Sequence, residues 1–565
     1  MEKNFNFPQL FNEKKYSEII YIIDFELPDN KKNLSIINLL GVCRLLQNNR
    51  SREDVIQAIE EFKSVYTKEK QTETSSKAFR NFINAVADLY DFERSKENMD
   101  KAFKYFNEAL DYFNKDESFF IKDEQVVLGI IRIYKRMVDM QNVRFYLGEL
   151  IKRKHLRPLT ISSFIYNNCF FDDWPQEKYL EYGRLLDKNL PSYNGSKLVP
   201  LSKINNKKIT IGFLSADIRH NHSVTYFLKT IVDNYDKNKF SINLYLNHKK
   251  TQEDETTKYF IKNIDKSTYI SSLKDEDVIN LIRKDNVDIF IDLMGITSET
   301  RLALTKNRVA PIQVLWCGYC NTTGISQMDY ILADPNLILE TEKSLYQEKI
   351  INLPNIWNCH PGFNLERIST PSPFLKNKYI TFGSFNNFSK INDMVVSTWA
   401  KILKSINNSK LILKTSNLRI SNLLKYKFEK ENIFDSIEFV PFEKDFKSHL
   451  NLYKKIDIAL DTFPYNGVTT SFEAIWMGVP VLTMKGYNFN SRCGESINNN
   501  LDLNWLVSEN KEDYALKARE LSEKNDFLLD IRKQLSEKAI MSPLFDAKLF
   551  SSDFFNTLEN LKVKL

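Results

Sequence analysis

The sequence IDIALDTFPYNGVTTSFEAIWMGVPVLTMKG (456–486) shows most directly how this chain folds. An apolar run ends at Asp461, a loop containing Gly467 follows, and Thr469 and Thr470 open a stretch with the apolar spacing of an amphipathic helix. A second apolar run begins at Val479. Strands that alternate with helices form parallel sheets covered on both faces, so this stretch predicts an α/β domain.

Further apolar runs, each ended by Gly, Pro or Asp, extend this pattern in both directions. They form two series, and the clearest helix between strands of the first series is 276–286. The sequence therefore predicts two doubly wound domains with a cleft between them, and ligands bind at the carboxyl ends of such strands. The runs are 207–217, 286–295, 311–319, 328–334 and 349–354 in the first series, and 377–386, 410–416, 436–442, 456–463 and 479–486 in the second.

The beginning of the chain is different, because apolar residues there recur at helical spacing and Gly and Pro are scarce. Ala58 with Phe62, and Ala102 with Phe106, place a small residue one turn before an aromatic one on the second helix of a predicted helical pair. This resembles the A-x3-F element of tetratricopeptide repeats, although the offset is longer than the standard repeat. A plain helical bundle is the alternative. The predicted helices are 33–48, 52–66, 77–92 and 98–113.

These patterns predict four segments. Residues 1–155 form an all-α domain like tetratricopeptide repeats, and 156–205 form a helical connector. Residues 206–375 form a first Rossmann-like lobe, and 376–565 form a second one.

Composition places few restrictions on function. The 565 residues are 42% hydrophobic and 27% charged, and 79 Lys and Arg against 73 Asp and Glu give a net charge of +6. That excess is too small to indicate nucleic-acid or membrane binding. We expect no signal peptide and no membrane span, since no apolar stretch is long enough. Six Cys residues suggest reduced thiols and a cytoplasmic location.

The loop and helix after Asp461 have the features of an anion site. The first-turn N–H groups and the hydroxyls of Thr469 and Thr470 can bind phosphate oxygens, and Gly467 can let the backbone approach a ligand. Glu473, one turn into the helix, can accept hydrogen bonds from a ribose diol. The alternative is structural, with a Thr N-cap and Glu473 as its capping-box partner.

Two other strand ends carry polar groups. Lys390, in GSFNNFSKIND (383–393), falls where a helix should begin and could neutralise a diphosphate; a solvated surface lysine is the alternative. Asp217, His220 and His222, in SADIRHNHSVTYFL (215–228), suit proton transfer or orientation of a hydroxyl. There the alternative is helix capping by Asp217 and a polar surface role for the His residues.

The sequence offers little support for metal or redox chemistry. Cys317 and Cys320 form a C-x-x-C pair, but no second pair follows at metal-ligand spacing. No P-loop or G-x-G-x-x-G motif is present, and no D-x-D motif follows a strand. We therefore expect no metal and no bound cofactor.

The region from about 207 to 560 resembles the protein O-GlcNAc transferase family, including its bacterial and SPINDLY-like members. Seven blocks agree in order: IGFLSADIRHNHSV, RVAPIQVLWCGYCNTTG, MDYILAD, FGSFNNFSKI, LDTFPYNGVTTSFEAIWMGVPVLT, SRCGESI and SPLFD. The resemblance implies a GT-B fold, a UDP-sugar donor, inversion at the anomeric carbon and no metal.

The resemblance also implies roles for individual residues. Val468 stands where the animal enzymes have His, Cys320 where they have Pro and Leu452 where they have Arg, and the 217–222 turn is one residue longer. By block, Asn387 and Lys390 match donor-binding residues, and His449 matches the His that packs on uracil. Thr469 and Thr470 match the diphosphate ligands, and Glu473 matches an acidic ribose ligand. Gly318 and Tyr319 match the loop beside the sugar, and His222 and Asp217 match groups at the sugar–acceptor junction.

We therefore expect an enzyme that transfers a sugar, GlcNAc in this family, from a UDP-sugar to Ser or Thr hydroxyls of a protein. Flagellin or another surface protein is the acceptor that the family suggests. Two alternatives stay open. One is a transferase acting on a glycan or lipid, and the other is an inactive scaffold that binds protein through its helical repeats.

Overall fold

The computed structural model describes residues 5–94, 100–193, 208–220, 222–297, 299–363, 371–415, 420–441, 443 and 445–563. They fall into two compact units, Met1–Lys152 and Arg153–Leu565. None of the helices in these ranges combines the length and apolar character needed to cross a membrane.

The first unit consists of helices that pack in pairs, as the small–aromatic pattern predicts. Ala58, Phe62, Ala102 and Phe106 are all fully buried. A Cβ on Gly41 of the preceding helix would come within 2.7 Å of the Phe62 ring, so the missing side chain allows that close approach. The helices are α1 Phe7–Asn12, α2 Tyr16–Tyr21, α3 Leu34–Leu46, α4 Arg52–Lys68, α5 Glu73–Arg94, α6 Asp100–Lys115, α7 Glu117–Phe120, α8 Glu124–Arg136 and α9 Met140–Ile151.

The second unit begins with the two connector helices and continues into a seven-stranded parallel sheet. Its strands lie side by side in the order β3-β2-β1-β4-β5-β6-β7. Successive strands are added on one side from β1 to β3 and on the other side from β4 to β7, so the switch point of the sheet lies between β1 and β4. The helices are α10 Pro158–Asn168, α11 Gln176–Asn189, α12 Ser223–Val232, α13 Glu255–Asn263, α14 Asp275–Lys284 and α15 Leu302–Lys306. The strands are β1 Ile209–Ser215, β2 Phe240–Leu246, β3 Lys266–Tyr269, β4 Ile289–Asp292, β5 Ile312–Leu315, β6 Tyr330–Ala333 and β7 Lys349–Asn352.

The second lobe contains a six-stranded parallel sheet in the order β10-β9-β8-β11-β12-β13, with the switch point between β8 and β11. The final helix returns to the first lobe, where Phe555 packs on Phe240 with ring centroids 4.5 Å apart. The strands are β8 Thr381–Ser384, β9 Lys410–Thr415, β10 Ile437–Pro441, β11 Ile458–Leu460, β12 Val481–Met484 and β13 Val507–Ser508. The helices are α16 Phe374–Asn377, α17 Asp393–Ser405, α18 Ile420–Lys430, α19 Phe446–Asn451, α20 Thr469–Trp476, α21 Phe489–Asn499, α22 Lys511–Glu523, α23 Asn525–Met541 and α24 Ala547–Val563.

Buried polar contacts join the two lobes. Arg492 forms two 2.6 Å hydrogen bonds with the carboxylate of Glu342 across the cleft, and its side chain is only 4% exposed. The Ser496 hydroxyl donates to Asp334 at 2.6 Å. Separating a buried charged pair costs several kcal/mol. These contacts therefore fix the orientation of one lobe relative to the other.

The connector packs directly on the first lobe through glycine. A Cβ on Gly324 would lie 2.4 Å from the backbone of Gly183 in α11, and a Cβ on Gly183 would lie 2.6 Å from the carbonyl oxygen of Thr323. Gly324 also has a φ of +70°, in the region that favours glycine. The two backbones therefore touch, and α11 is fixed relative to the first sheet.

Candidate functional site

A cavity of about 370 Å³ lies where loops from both sheets meet. Its walls come from helix α10 and from the segments that follow β1, β4, β5, β7, β8 and β11. Both switch points, where the strand order changes direction, are among these segments. Such points are where open α/β sheets bind ligands. The predicted site residues that line the cavity are Asp217, His222, Gly318, Asn387, Lys390, Val468, Thr469 and Thr470.

Lys390 is half-buried in the cavity wall rather than solvated. It ends a 3₁₀ turn, Phe388–Lys390, just before α17, so it precedes the helix instead of opening it. Its Nζ donates to the carbonyl oxygen of Asn466 at 2.7 Å and lies 4.1 Å from the centre of the Tyr465 ring. Burial lowers the pKa of Lys390, and the nearby Asp461 carboxylate opposes this shift. An anion in the cavity would stabilise the ammonium form.

Asp461, at the end of β11, organises the loop beside Lys390. Its carboxylate accepts hydrogen bonds from the N–H groups of Thr462 at 2.8 Å and Gly467 at 2.6 Å, and from the Thr483 hydroxyl at 2.8 Å. Burial raises the pKa of Asp461 to about 6. A Cβ on Gly467 would come within 2.7 Å of the Thr470 hydroxyl oxygen, so Gly467 is required by packing inside the loop.

Helix α20 begins at Thr469 and its N-terminus is not capped by its own residues. The N-cap residue is Val468, which makes no side-chain capping bond. The Thr470 hydroxyl donates instead to Asn386 Oδ1 at 3.0 Å, and both Thr side chains line the cavity. The capping-box alternative is therefore wrong. The N–H of Ser471 donates to the carbonyl oxygen of Val468 at 3.0 Å, so the N–H groups of Thr469 and Thr470 are the ones left to bind a ligand.

His449 and Glu473 form a buried pair that does not line the 370 Å³ cavity. The Nε2 atom of His449 lies 3.0 Å from Glu473 Oε2, and the Tyr453 hydroxyl donates to the same oxygen at 2.8 Å. On its other side, the His449 ring faces Lys414, with Nδ1 and Nζ 3.3 Å apart. Glu473 thus orients the imidazole, and its role as a ribose ligand stays a prediction.

Asp217 and His222 face Lys390 from the first lobe. His222 Nε2 lies 3.3 Å from Asp217 Oδ1, and the side chains are 33% and 15% exposed. Burial lowers the pKa of His222, and Asp217 opposes this shift, while Arg219 adds to it. Asp217 does not cap α12, because the N-cap residue of that helix is His222, which makes no side-chain capping bond. His220 is exposed and lies outside the cavity lining, and Asn221 lies outside the described residues.

The predicted sugar loop is shaped by close packing. A Cβ on Gly318 would lie 1.9 Å from the carbonyl oxygen of Leu293, so only glycine fits there. Tyr319 points away from the lining and is 3% exposed, with its ring against Gly295. Cys317 and Cys320 form no disulfide, and burial raises the pKa of Cys317. Among the described residues, no group of three or more His, Cys, Asp or Glu could hold a metal.

Tyr166 is a cavity residue that sequence reasoning missed. It comes from the connector helix α10 and lines the cavity beside Tyr465, to which it hydrogen-bonds. Burial raises its pKa to about 12. Phe170, four residues later, stacks on Tyr465 with centroids 5.7 Å apart. No sequence motif surrounds Tyr166, but a helix-borne aromatic pair at i and i+4 in a predicted connector was a usable signal.

Two curated proteins resemble this chain over about two thirds of its length. A SPINDLY protein of Solanum lycopersicum, named as a probable UDP-N-acetylglucosamine–peptide N-acetylglucosaminyltransferase, is 32% identical over 396 residues, which are 68% of this chain and 42% of that protein. Its counterpart in Eustoma exaltatum is 34% identical over 63% of this chain and 39% of its own length. This chain thus spans about two fifths of the length of these relatives.

A solved structure supports the fold over nearly the whole chain. A mutant of the Thermobaculum terrenum O-GlcNAc transferase superposes with a TM-score of 0.79 at 22% identity, covering 94% of this chain and 98% of that one. The GT-B fold with an N-terminal helical region is thereby confirmed. The model of the family named Glycosyl transferase family 41 matches residues 188–360 and 369–554. This chain is a member of glycosyltransferase family 41.

Proposed function

We propose that this protein transfers N-acetylglucosamine from UDP-N-acetylglucosamine to Ser or Thr hydroxyls of a protein, with inversion and without a metal. The observation that carries the proposal is the position of Lys390. Its ammonium group, the Thr470 hydroxyl and the N-terminus of α20 line one cavity opposite the Asp217–His222 pair. The names of the relatives support the donor and the peptide acceptor.

The second lobe is suited to hold a diphosphate. Lys390 provides a positive charge, and the uncapped first turn of α20 provides N–H donors and the positive end of a helix dipole. These groups are held by the protein before the substrate arrives, since Lys390 is fixed on Asn466 and Thr470 on Asn386. Fixed donors stabilise the charge that develops on a departing diphosphate.

The first lobe is suited to handle the acceptor hydroxyl. A neutral His222 that donates from Nε2 to Asp217 keeps a lone pair on Nδ1, a buried atom that has no partner among the described residues. The hydroxyl oxygen attacks the anomeric carbon while the bond from that carbon to the diphosphate oxygen breaks. The electron pair leaves on UDP, and the hydroxyl proton goes to the Asp217–His222 pair. One such displacement inverts the anomeric carbon.

The acceptor and the location belong to the same proposal. We place the enzyme in the cytoplasm, with the helical unit Met1–Lys152 as the acceptor-reading part, because stacked helical pairs form extended peptide-binding surfaces. Flagellin or another surface protein, modified before export, is the acceptor class that we propose to test first.

The decisive experiment is intact-protein mass spectrometry of candidate acceptors incubated with the enzyme and a panel of nucleotide sugars. The panel contains UDP-GlcNAc, UDP-GalNAc, UDP-glucose and, as a change of base, GDP-linked sugars. The expected result is a mass increase of one N-acetylhexosamine with UDP-GlcNAc only. Transfer from a GDP-sugar alone would overturn the proposed donor. Binding of UDP without transfer to any protein would favour a glycan or lipid acceptor, and no nucleotide binding at all would favour the inactive scaffold.

A further inference from the structure

The second lobe contains another cavity, of about 580 Å³. It lies at the opposite edge of the sheet from the 370 Å³ cavity that contains Lys390, which we call the donor pocket. Thr381 and Lys410, which line it, are the first residues of β8 and β9. Lys454 and Lys455, also in its wall, precede β11. The donor pocket lies after the last residues of β8 and β11, so the length of the strands separates the two cavities.

Positive charge is concentrated in this cavity. Four lysines line it, Lys376, Lys410, Lys454 and Lys455, against a single carboxylate, Glu438. The whole chain has an excess of only six positive charges over 565 residues, so this is a local accumulation. Like charges in one concavity repel each other, and a bound anion would relieve that repulsion.

The ammonium groups differ in how they are held. Lys410 Nζ donates to the carbonyl oxygen of Asp435 at 2.7 Å, which fixes one charge at the rim. Lys376, Lys454 and Lys455 form no ion pair with any residue in the described part of the chain. Three lysine side chains can therefore turn toward a ligand without breaking an existing bond.

Thr381, which lines the cavity, has a buried hydroxyl without a partner within the residues that the structure describes, and this points independently to a ligand. Thr381 is 3% exposed, and its Oγ1 has no hydrogen-bond partner among the described residues. Its backbone N–H is already bound to Asp457 Oδ2 at 2.8 Å, so the hydroxyl is the group left over. A buried polar group without a partner is costly, and a phosphate oxygen would accept from this hydroxyl.

Part of the lining is apolar, with Leu375, Tyr379 and Ile412 in the wall beside the polar Ser372 and Asn377. We propose that this cavity is an anion site that binds a phosphate ester, with the phosphate among the lysines and at Thr381 and the organic group against the apolar wall. Inorganic phosphate would use only the first part of such a site, and an acidic peptide would not reach the buried Thr381 hydroxyl.

Calorimetric titration of the full chain with phenyl phosphate tests this site. The double charge reversal Lys376→Glu and Lys455→Glu should weaken binding roughly tenfold or more, since charge-assisted contacts are the strong ones. Thr381→Val should weaken it about fivefold by removing one hydroxyl at nearly constant volume. Thr381→Ser restores the hydroxyl and should restore binding, which separates its role from a packing defect.

Two matched variants control for location. Lys430→Glu changes an exposed lysine of the same lobe outside the cavity, and Lys390→Ala disables the donor pocket. Neither should change phenyl phosphate affinity more than about twofold, since both lie outside this site. Loss of binding in Lys390→Ala would place the anion in the donor pocket and overturn the proposal. Equal affinity for an oligoglutamate peptide would show that the lysines attract any anion, and this would overturn a specific phosphate site. Equal affinity for inorganic phosphate would show that the apolar wall adds nothing to binding, and this would overturn a phosphate ester as the ligand.

Discussion

In the second lobe, Lys390 is held at 2.7 Å by a main-chain carbonyl and the Thr470 hydroxyl at 3.0 Å by Asn386. In the first lobe, Asp217 contacts His222 at 3.3 Å and the half-exposed Arg219 at 3.1 Å, and a third of the His222 side chain is exposed. The wall for the leaving group is therefore fixed, and the wall for the hydroxyl is looser. Charge stabilisation depends on preorganised donors, whereas a hydroxyl on varied peptides needs room to settle.

The fixed wall should carry the largest single effect. Lys390→Ala removes a charge contact made to the departing diphosphate, so transfer should fall by roughly 10²- to 10³-fold. Turnover is measured by release of UDP and by mass spectrometry of the acceptor. Lys401→Ala, on an exposed lysine of α17, is the matched control and should retain its rate. Near-normal turnover in Lys390→Ala would remove this residue from the mechanism.

A substitution in the looser wall should lower the rate of transfer without changing the affinity for UDP. His222→Asn should lower kcat roughly 10²-fold, which is the lower end for a positioned acid–base group, and leave the Kd for UDP unchanged. Weaker UDP binding in this variant would mean that the two walls are not separate in function.

The pH profile gives a second readout of the same pair. Burial lowers the pKa of His222 below 6.5, so the neutral form that can take a proton persists on mild acidification. We expect kcat/KM to fall only below pH 6.5. In Asp217→Asn the opposing effect of the carboxylate is lost, so the acid limb should move to still lower pH. A shift toward higher pH would contradict this assignment.

Removal of the helical unit should lower activity on the protein acceptor without weakening the binding of UDP. A chain starting near residue 156 should bind UDP with an affinity within about twofold of the full chain, because additivity holds for distant sites. Its activity on the protein acceptor should drop roughly tenfold or more, since the repeat surface supplies much of the peptide contact. A cooperative melt must first show that the fragment is folded. Full activity on the protein would mean that the helices do not read the acceptor.

Chelation should have the smallest effect. If Lys390 and the start of α20 provide the positive field, excess EDTA should leave the rate unchanged, because no step depends on a divalent ion. The rate is measured before and after dialysis against EDTA and again with added Mn²⁺ or Mg²⁺. Activity that disappears and returns with the ion would refute a metal-free reaction.

The local pattern of apolar residues predicts most strands of the two sheets, but not all of them. β1, β4 and β8 are buried runs ended by clear stop signals, and they were predicted. β2, Phe240–Leu246, was missed because polar Ser and Asn interrupt it, although the strand is almost wholly buried. β3 has no fully buried residue, and β13 is two residues long, so neither leaves a hydrophobic signal.

The same limit applies to the site. Lys390, Thr469 and Thr470 were predicted because each follows a strand end, where topology alone brings residues together. The Asn466 carbonyl that holds Lys390 could not be predicted, since backbone partners leave no trace in side-chain identity. The i, i+4 spacing of Tyr166 and Phe170 marks an aromatic face on α10, but that this face meets the cavity depends on how α10 packs, which the spacing does not encode.

The contact between Gly183 and Gly324 has a consequence for protein engineering. Because two backbones touch there, α11 cannot be exchanged for a foreign helix without moving one side of the catalytic body. Chimaeras that graft a new repeat array onto this enzyme should be joined upstream of Arg153, where the first compact unit ends. Acceptor choice then becomes a modular property, whereas α10 and α11 must be inherited with the lobes as one piece.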